Sequence, residues 1–125
     1  MGTYQLTETD GIQTLAVVGD TGAEEAVQIL QTVARDVKPG GPLLIDIREA
    51  RSQTLSFKDT YQIATLLGSL SDAFQGRIAV LDGFDDQFEK TQFFEASAAV
   101  KGMEVRAFIG EREALRWLQD TPPTG

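Results

Sequence analysis

The sequence contains no cysteine and no histidine. Without cysteine, disulfides, thiolate nucleophiles and thiolate metal sites are excluded. Without histidine, the one side chain that titrates near neutrality unperturbed is missing, and with it the commonest general base and metal ligand. Any catalysis has to draw on Asp, Glu, Lys, Ser, Thr or Tyr. Long apolar runs are missing too. Stretches such as residues 16–18 and 43–45 are far too short to span a bilayer, so no membrane insertion is expected. No basic-then-apolar segment opens the chain, which sets the expectation of a cytoplasmic protein. Positive charge is scarce: 11 Lys and Arg stand against 19 Asp and Glu, for a net charge of −8. The basic residues are scattered and form no run. Nucleic-acid binding needs a basic footprint to displace counterions from phosphates, so no nucleic-acid partner is expected.

What is present describes an ordinary globular chain. Of 125 residues, 42% are hydrophobic and 24% charged, enough apolar material for a real core at this length. The expected organisation is one domain over residues 1–120 with a flexible tail at 121–125, where Pro122 and Pro123 stand.

Along the chain, residues 3–7 alternate apolar and polar, and residues 12–18 read as a second strand. Asp10-Gly11 between them is a turn pair, and the three together predict a β-hairpin. Gly19-Asp20-Thr21-Gly22 follows. It opens a helix but lacks both the dinucleotide fingerprint and the lysine of a P-loop, so no cofactor is expected there. Thr21 and Glu24 stand in capping-box spacing. Ala23, Ala26, Val27, Leu30, Val33, Ala34 and Val37 then recur as one face of a 3.6-residue period, which predicts an amphipathic helix stopped by Pro39, Gly40, Gly41 and Pro42.

The short apolar run 43–47 suits a strand covered on both faces. Residues 48–55 read as a polar loop. A second helix, opened by Ser56 or Asp59, carries Ile63, Leu66, Leu67, Leu70 and Phe74 and ends at Gly76. Ile78–Leu81 is another buried-type strand. Residues 82–86 form its loop, and a third helix runs to about Val100 with Phe93, Phe94, Ala96 and Val100 on its inner side. Residues 104–109 are the last strand and Glu111–Gln119 the last helix. Strands alternating with helices imply an α/β fold with a mostly parallel sheet and the opening strand antiparallel at an edge.

Residues 43–50 (Leu-Leu-Ile-Asp-Ile-Arg-Glu-Ala), 77–80 (Arg-Ile-Ala-Val), 105–108 (Val-Arg-Ala-Phe) and 113–118 (Glu-Ala-Leu-Arg-Trp-Leu), in that order, resemble the SpoIIAA-like family of small bacterial proteins with the STAS fold. The resemblance implies a five-stranded, mostly parallel mixed sheet with an N-terminal β-hairpin and four helices. Residues 55–68 also resemble the phosphorylation-switch segment of anti-sigma-factor antagonists. Phe57, Asp59, Ile63, Leu67 and Gly68 fit its pattern. Tyr61 stands where that pattern has the phosphoacceptor serine, Thr60 where it has the preceding serine and Gln62 where it has the following glycine. The resemblance thus implies the fold rather than the serine switch. Through SEC14-like relatives it also implies a carrier of a small apolar or lipid-like ligand.

Three groups of residues are candidate sites. Ser56, Asp59, Thr60 and Tyr61 surround a helix start, where free N–H groups and the helix dipole favour a phosphate and where ordinary capping is the simpler role. Asp46 and Asp82 are expected at the carboxyl ends of parallel strands, the rim where open α/β sheets bind ligands. With Asp85 and Asp86 they could gather around a divalent cation, or they could serve as loop turns and caps. Phe84 and Phe88, in and beside an acidic loop, are candidates for a ligand mouth or a homodimer interface. The leading expectation is a non-enzymatic binding or regulatory module acting through protein–protein contacts, self-association as a homodimer included. The alternatives are a carrier of a small apolar ligand and, third, an enzyme using Asp46 and Asp82.

Overall fold

Asp10 and Gly11 both have positive φ, 54° and 80°. Two consecutive residues in this region make the turn whose twist matches a right-handed hairpin, which is why Asp-Gly is favoured there. The turn joins β1 (Thr3–Thr9) to β2 (Ile12–Asp20) as an antiparallel pair in unbroken register from Thr3↔Val18 to Thr9↔Ile12. The computed structural model describes residues 3–37, 41–51, 56–70, 74, 76–82 and 85–119. The expected tail at 121–125 lies outside them.

The chain then runs through α1 (Ala23–Asp36), β3 (Leu43–Arg51), α2 (Phe57–Ser69), β4 (Ile78–Leu81), α3 (Asp85–Val100), β5 (Val105–Phe108) and α4 (Glu111–Gln119). The sheet has 5 strands in the order β1-β2-β3-β4-β5, with β2 to β5 parallel and β1 antiparallel at one edge. This is the mixed α/β sheet that the strand pattern and the resemblance implied. Strand order follows chain order from β2 onward. Right-handed crossovers that all step the same way put their helices on one face. Accordingly α1, α2 and α3 pack with Leu15, Val33, Ile45, Leu67, Val80 and Ala98 in one core. The last helix follows no crossover. It covers the other face, where Ala114 and Leu118 meet Ile12, Leu44, Ala79 and Leu81.

Several sequence expectations need correction. Thr21 and Glu24 form no capping box. Gly22 is the N-cap of α1 without a side-chain cap bond, and the buried Thr21 turns its hydroxyl to Gly19 O at 3.2 Å. The third strand does not stop at Ile47 but continues to Arg51, so residues 48–51 are not loop. The second helix ends at Ser69 rather than Gly76. Its cap residue Leu70 donates its N–H to the carbonyls of Leu66 and Leu67, which tightens the last turn. Phe74, beyond the helix, still fills the core.

The largest error concerns α3. Its buried residues include Thr91, Ser97 and Ala98, whereas Phe93, Ala96 and Val100 face outward. Apolar residues stand on both its inner and its outer side, so helical periodicity could not assign the inner one. The side chain of Glu95 accepts the Ala107 N–H at 2.7 Å. That bond satisfies an outward-facing donor of the edge strand β5.

Candidate functional site

The parallel strand β3 gains one residue on β2. Ala16 pairs with Asp46 and Val18 with Glu49, so Ile47 and Arg48 together oppose Val17. A bulge of this kind leaves a backbone N–H off the ladder. Asp46 takes it up: its Oδ1 accepts from Arg48 N at 3.1 Å and from Arg48 Nε at 3.0 Å, while Oδ2 accepts from Arg48 Nη2 at 2.8 Å. Burial pushes the Asp46 carboxyl up; the guanidinium and backbone hydrogen bonds of Arg48, with its charge, push it down by more. The group therefore sits below its ordinary value. Glu111, at the start of α4, lies 3.6 Å from Arg48 Nη1.

Asp46 is thus inside a strand and committed to shaping it, not at a ligand-binding rim. Its register partner Leu81 packs with α4. The next residue, Asp82, turns to the opposite side of the sheet. It is fully buried, its N–H donates to Phe108 O at 2.9 Å, and its Oδ2 accepts from the Thr91 hydroxyl at 2.8 Å. Strand alternation therefore separates the two aspartates onto different faces. The expectation of joint catalysis or shared cation binding by Asp46 and Asp82 fails on that geometry. Among the described residues no group of three or more acidic side chains could hold a metal ion.

The start of α2 is a built helix terminus. Ser56 is the N-cap; its Oγ accepts from Asp59 N at 3.0 Å, and Asp59 Oδ2 accepts from Ser56 N at 3.1 Å. This is the reciprocal capping box that Ser at the cap and an acid three residues on make possible. Thr60 is buried and donates its hydroxyl to Ser56 O at 3.0 Å, so it belongs to the inner face and not to the surface. Phe57 and Tyr61, one helical turn apart, point the other way and are 46% and 45% exposed. Phe93 of α3, 37% exposed, meets Phe57 edge-on with ring centroids 5.3 Å apart. Lys101 Nζ stands 5.6 Å from the centre of the Tyr61 ring. The sequence reading missed Phe93 as a surface residue. Its spacing with Ala96 and Val100 describes a real stripe, but the stripe is outward, and Val100 is 81% exposed. Of the other aromatic candidates, Phe84 lies outside the described residues and Phe88 falls within α3.

Behind this helix start lies a cavity of about 140 Å³, between the sheet and α1–α3. Leu15, Ile29, Ile45, Ile63, Val80 and Phe94 supply much of its apolar wall, and Thr21, Thr60 and Thr91 also line it.

No protein-family model matches this sequence, and no curated protein matches it. Solved structures do. An uncharacterized DUF3478-family protein with a SpoIIAA-like fold from Shewanella loihica PV-4 superposes with a TM-score of 0.60 at 22% identity, over 94% of this chain and 93% of that one. An anti-sigma factor antagonist from Mycobacterium paratuberculosis gives 0.60 at 16% identity, over 96% of both chains. The anti-sigma factor antagonist SpoIIAA in its unphosphorylated form gives 0.58 at 12% identity, over 95% of this chain and all of that one. The chain has the SpoIIAA-like fold.

Proposed function

We propose that this chain is a non-enzymatic regulatory module that binds a protein partner through the outward side of α2 and the adjoining stripe of α3. The observation that carries the reading is the exposure of Phe57, Tyr61 and Phe93 on two neighbouring helices. Aromatic side chains bring large contact area with few rotatable bonds and recur among the residues that dominate interface energetics. Here Phe57 and Tyr61 sit in the first turns of a helix whose start is already capped by Ser56 and Asp59, so that start needs no partner to form. Two of the structures sharing the fold are anti-sigma factor antagonists by name, which favours a protein partner over a substrate. The net charge of −8 favours a partner with a basic rim around an apolar centre. The absence of histidine and cysteine, and the separation of Asp46 from Asp82, point away from catalysis without deciding it.

Self-association through the same aromatic surface is the second form of this reading, since it too would cover Phe57, Tyr61 and Phe93. Affinity capture from the native host, followed by titration of the purified captured protein, tests the proposal. The wild type should bind it and the double variant Phe57→Ser, Tyr61→Ser should not, at an unchanged melting temperature. Equal binding by both chains would refute the surface assigned here. A concentration-dependent dimer that the double variant loses would identify the partner as a second copy.

A further inference from the structure

The two edges of the sheet are finished differently. The edge strand β5 has four residues, and the Glu95 carboxylate takes up its Ala107 N–H. The usual guards of an edge strand are brevity, a bulge, lysine or proline. β1, at the opposite end of the strand order, has none of these: it runs for seven residues, Thr-Tyr-Gln-Leu-Thr-Glu-Thr, in unbroken register with β2. All of its residues are exposed except Leu6, which is half-buried against the core. We propose that β1 is a self-association edge, at which two copies of this chain join β1 to β1 about a two-fold axis and continue one sheet through both.

The hairpin decides which backbone groups are offered. Its two-residue turn closes on a hydrogen-bonded pair, here Thr9↔Ile12. Such pairs alternate along an antiparallel ladder, so Thr7, Gln5 and Thr3 also bond β2, while Tyr4 and Leu6 direct their N–H and C=O groups away from it. The strand's own sequence identifies the occupant. A two-fold axis sets identical strands antiparallel, the arrangement β1 already has with β2. An axis through Leu6 pairs all seven residues: Leu6 meets Leu6 of the second copy, Gln5 meets Thr7, Tyr4 meets Glu8 and Thr3 meets Thr9. Every other register shortens the overlap. Like charges directly opposite one another destabilise a ladder, and Thr–Thr pairs support it. Glu8, the one charged residue of β1, comes opposite Tyr4, so this register has the second and avoids the first. The edge is separate from the aromatic surface: β1 packs on β2, whereas α2 packs on α3 and α3 on β5.

Sedimentation of the full chain from about 1 μM to about 1 mM tests the inference. Salt of about 0.15 M screens the repulsion between two copies of net charge −8. The wild type should pass from 13.6 kDa to twice that mass. Gln5 and Thr7 are exposed and come opposite each other across the axis. The double variant Gln5→Lys, Thr7→Lys therefore sets like charges face to face and should stay monomeric at an unchanged melting temperature. Gln5→Lys, Thr7→Glu sets opposite charges there and should dimerise as the wild type does. If the lysine pair lowers the melting temperature, Tyr4→Pro removes an outward N–H, a substitution that an edge strand accepts, and should abolish the dimer instead. A wild type that stays monomeric throughout overturns the proposal. So does a dimer that survives in a folded lysine or proline variant, or one lost in Phe57→Ser, Tyr61→Ser, which marks the aromatic surface as the contact. Loss of the dimer in the Lys/Glu variant as well as the Lys/Lys variant would overturn the register through Leu6.

Discussion

The two faces of the sheet are held in different ways. One carries three helices and a core that includes Leu15, Val33, Leu67 and Val80, all buried, yet it leaves a half-open pocket of about 140 Å³. Among the described residues the other carries just the nine of α4. A helix that short is marginal on its own, and few apolar residues hold it down. Its attachment is correspondingly directional. Arg77 donates from Nη1 to Trp117 O at 2.8 Å, lies 5.0 Å from the centre of the Trp117 ring, and bonds Glu104 Oε2 through Nε at 3.0 Å. The Trp117 ring in turn leans on Phe108 at 5.7 Å. Where apolar burial is abundant, the fold tolerates empty space; where it is scarce, oriented polar contacts and aromatic stacking fix the helix.

The sharpest way to break this contrast is Leu67→Ala on the crowded face. Leu67 is fully buried, and its loss should cost about 3 kcal/mol in urea unfolding. A cost below about 1 kcal/mol would mean that this core yields around the existing void. Next comes Arg77→Met, which keeps the stem and removes the bonds to Trp117 and Glu104. It should cost about 1–2 kcal/mol and speed amide hydrogen exchange in α4 before other elements. Uniformly raised exchange would show that α4 is held by burial after all.

Asp46→Asn should cost about 1 kcal/mol near neutrality, discounted because Arg48 is partly exposed. Its sign with pH is set by the lowered carboxyl of Asp46. The ion pair's contribution is present in full above the unfolded value of about 3.9 and is lost as pH falls through the lower folded value. Wild type and variant should therefore converge in stability as pH falls through that lower folded value, and a gap that persists once the carboxyl is protonated in both states would refute that role. The smallest effect belongs to Phe57→Ala. A surface substitution of this kind should change stability by less than about 0.5 kcal/mol, while the partner binding proposed above is weakened at least tenfold.

Local chemistry was legible wherever one short pattern decides the structure. Asp10-Gly11 dictated a hairpin turn, Ser56 with Asp59 a capped helix start, and residues 78–81 a buried strand. What stayed hidden depended on distant partners. Residues 48–51 look like loop because they are polar, and only pairing with β2 across the bulge makes them strand. Phe93 and Val100 look like core because they are apolar; the packing of α3 against the sheet turns them outward. Of the candidate site, Phe57 and Tyr61 could be placed at a helix start from sequence, but no residue pattern announces a void, since a cavity is defined by where side chains of several elements fail to meet.

The bulge in β3 has a bearing on how this chain can change length. Inward and outward positions along a strand normally alternate, so losing one residue inverts everything downstream. Here Ile47 and Ala50 both belong to the inner side although three steps separate them. A deletion of residue 48 would bring Ile47, Glu49 and Ala50 into strict alternation, with both apolar residues still facing the helices. This strand therefore has a built-in place for a one-residue gap, and alignments of homologues should open there rather than in the neighbouring strands.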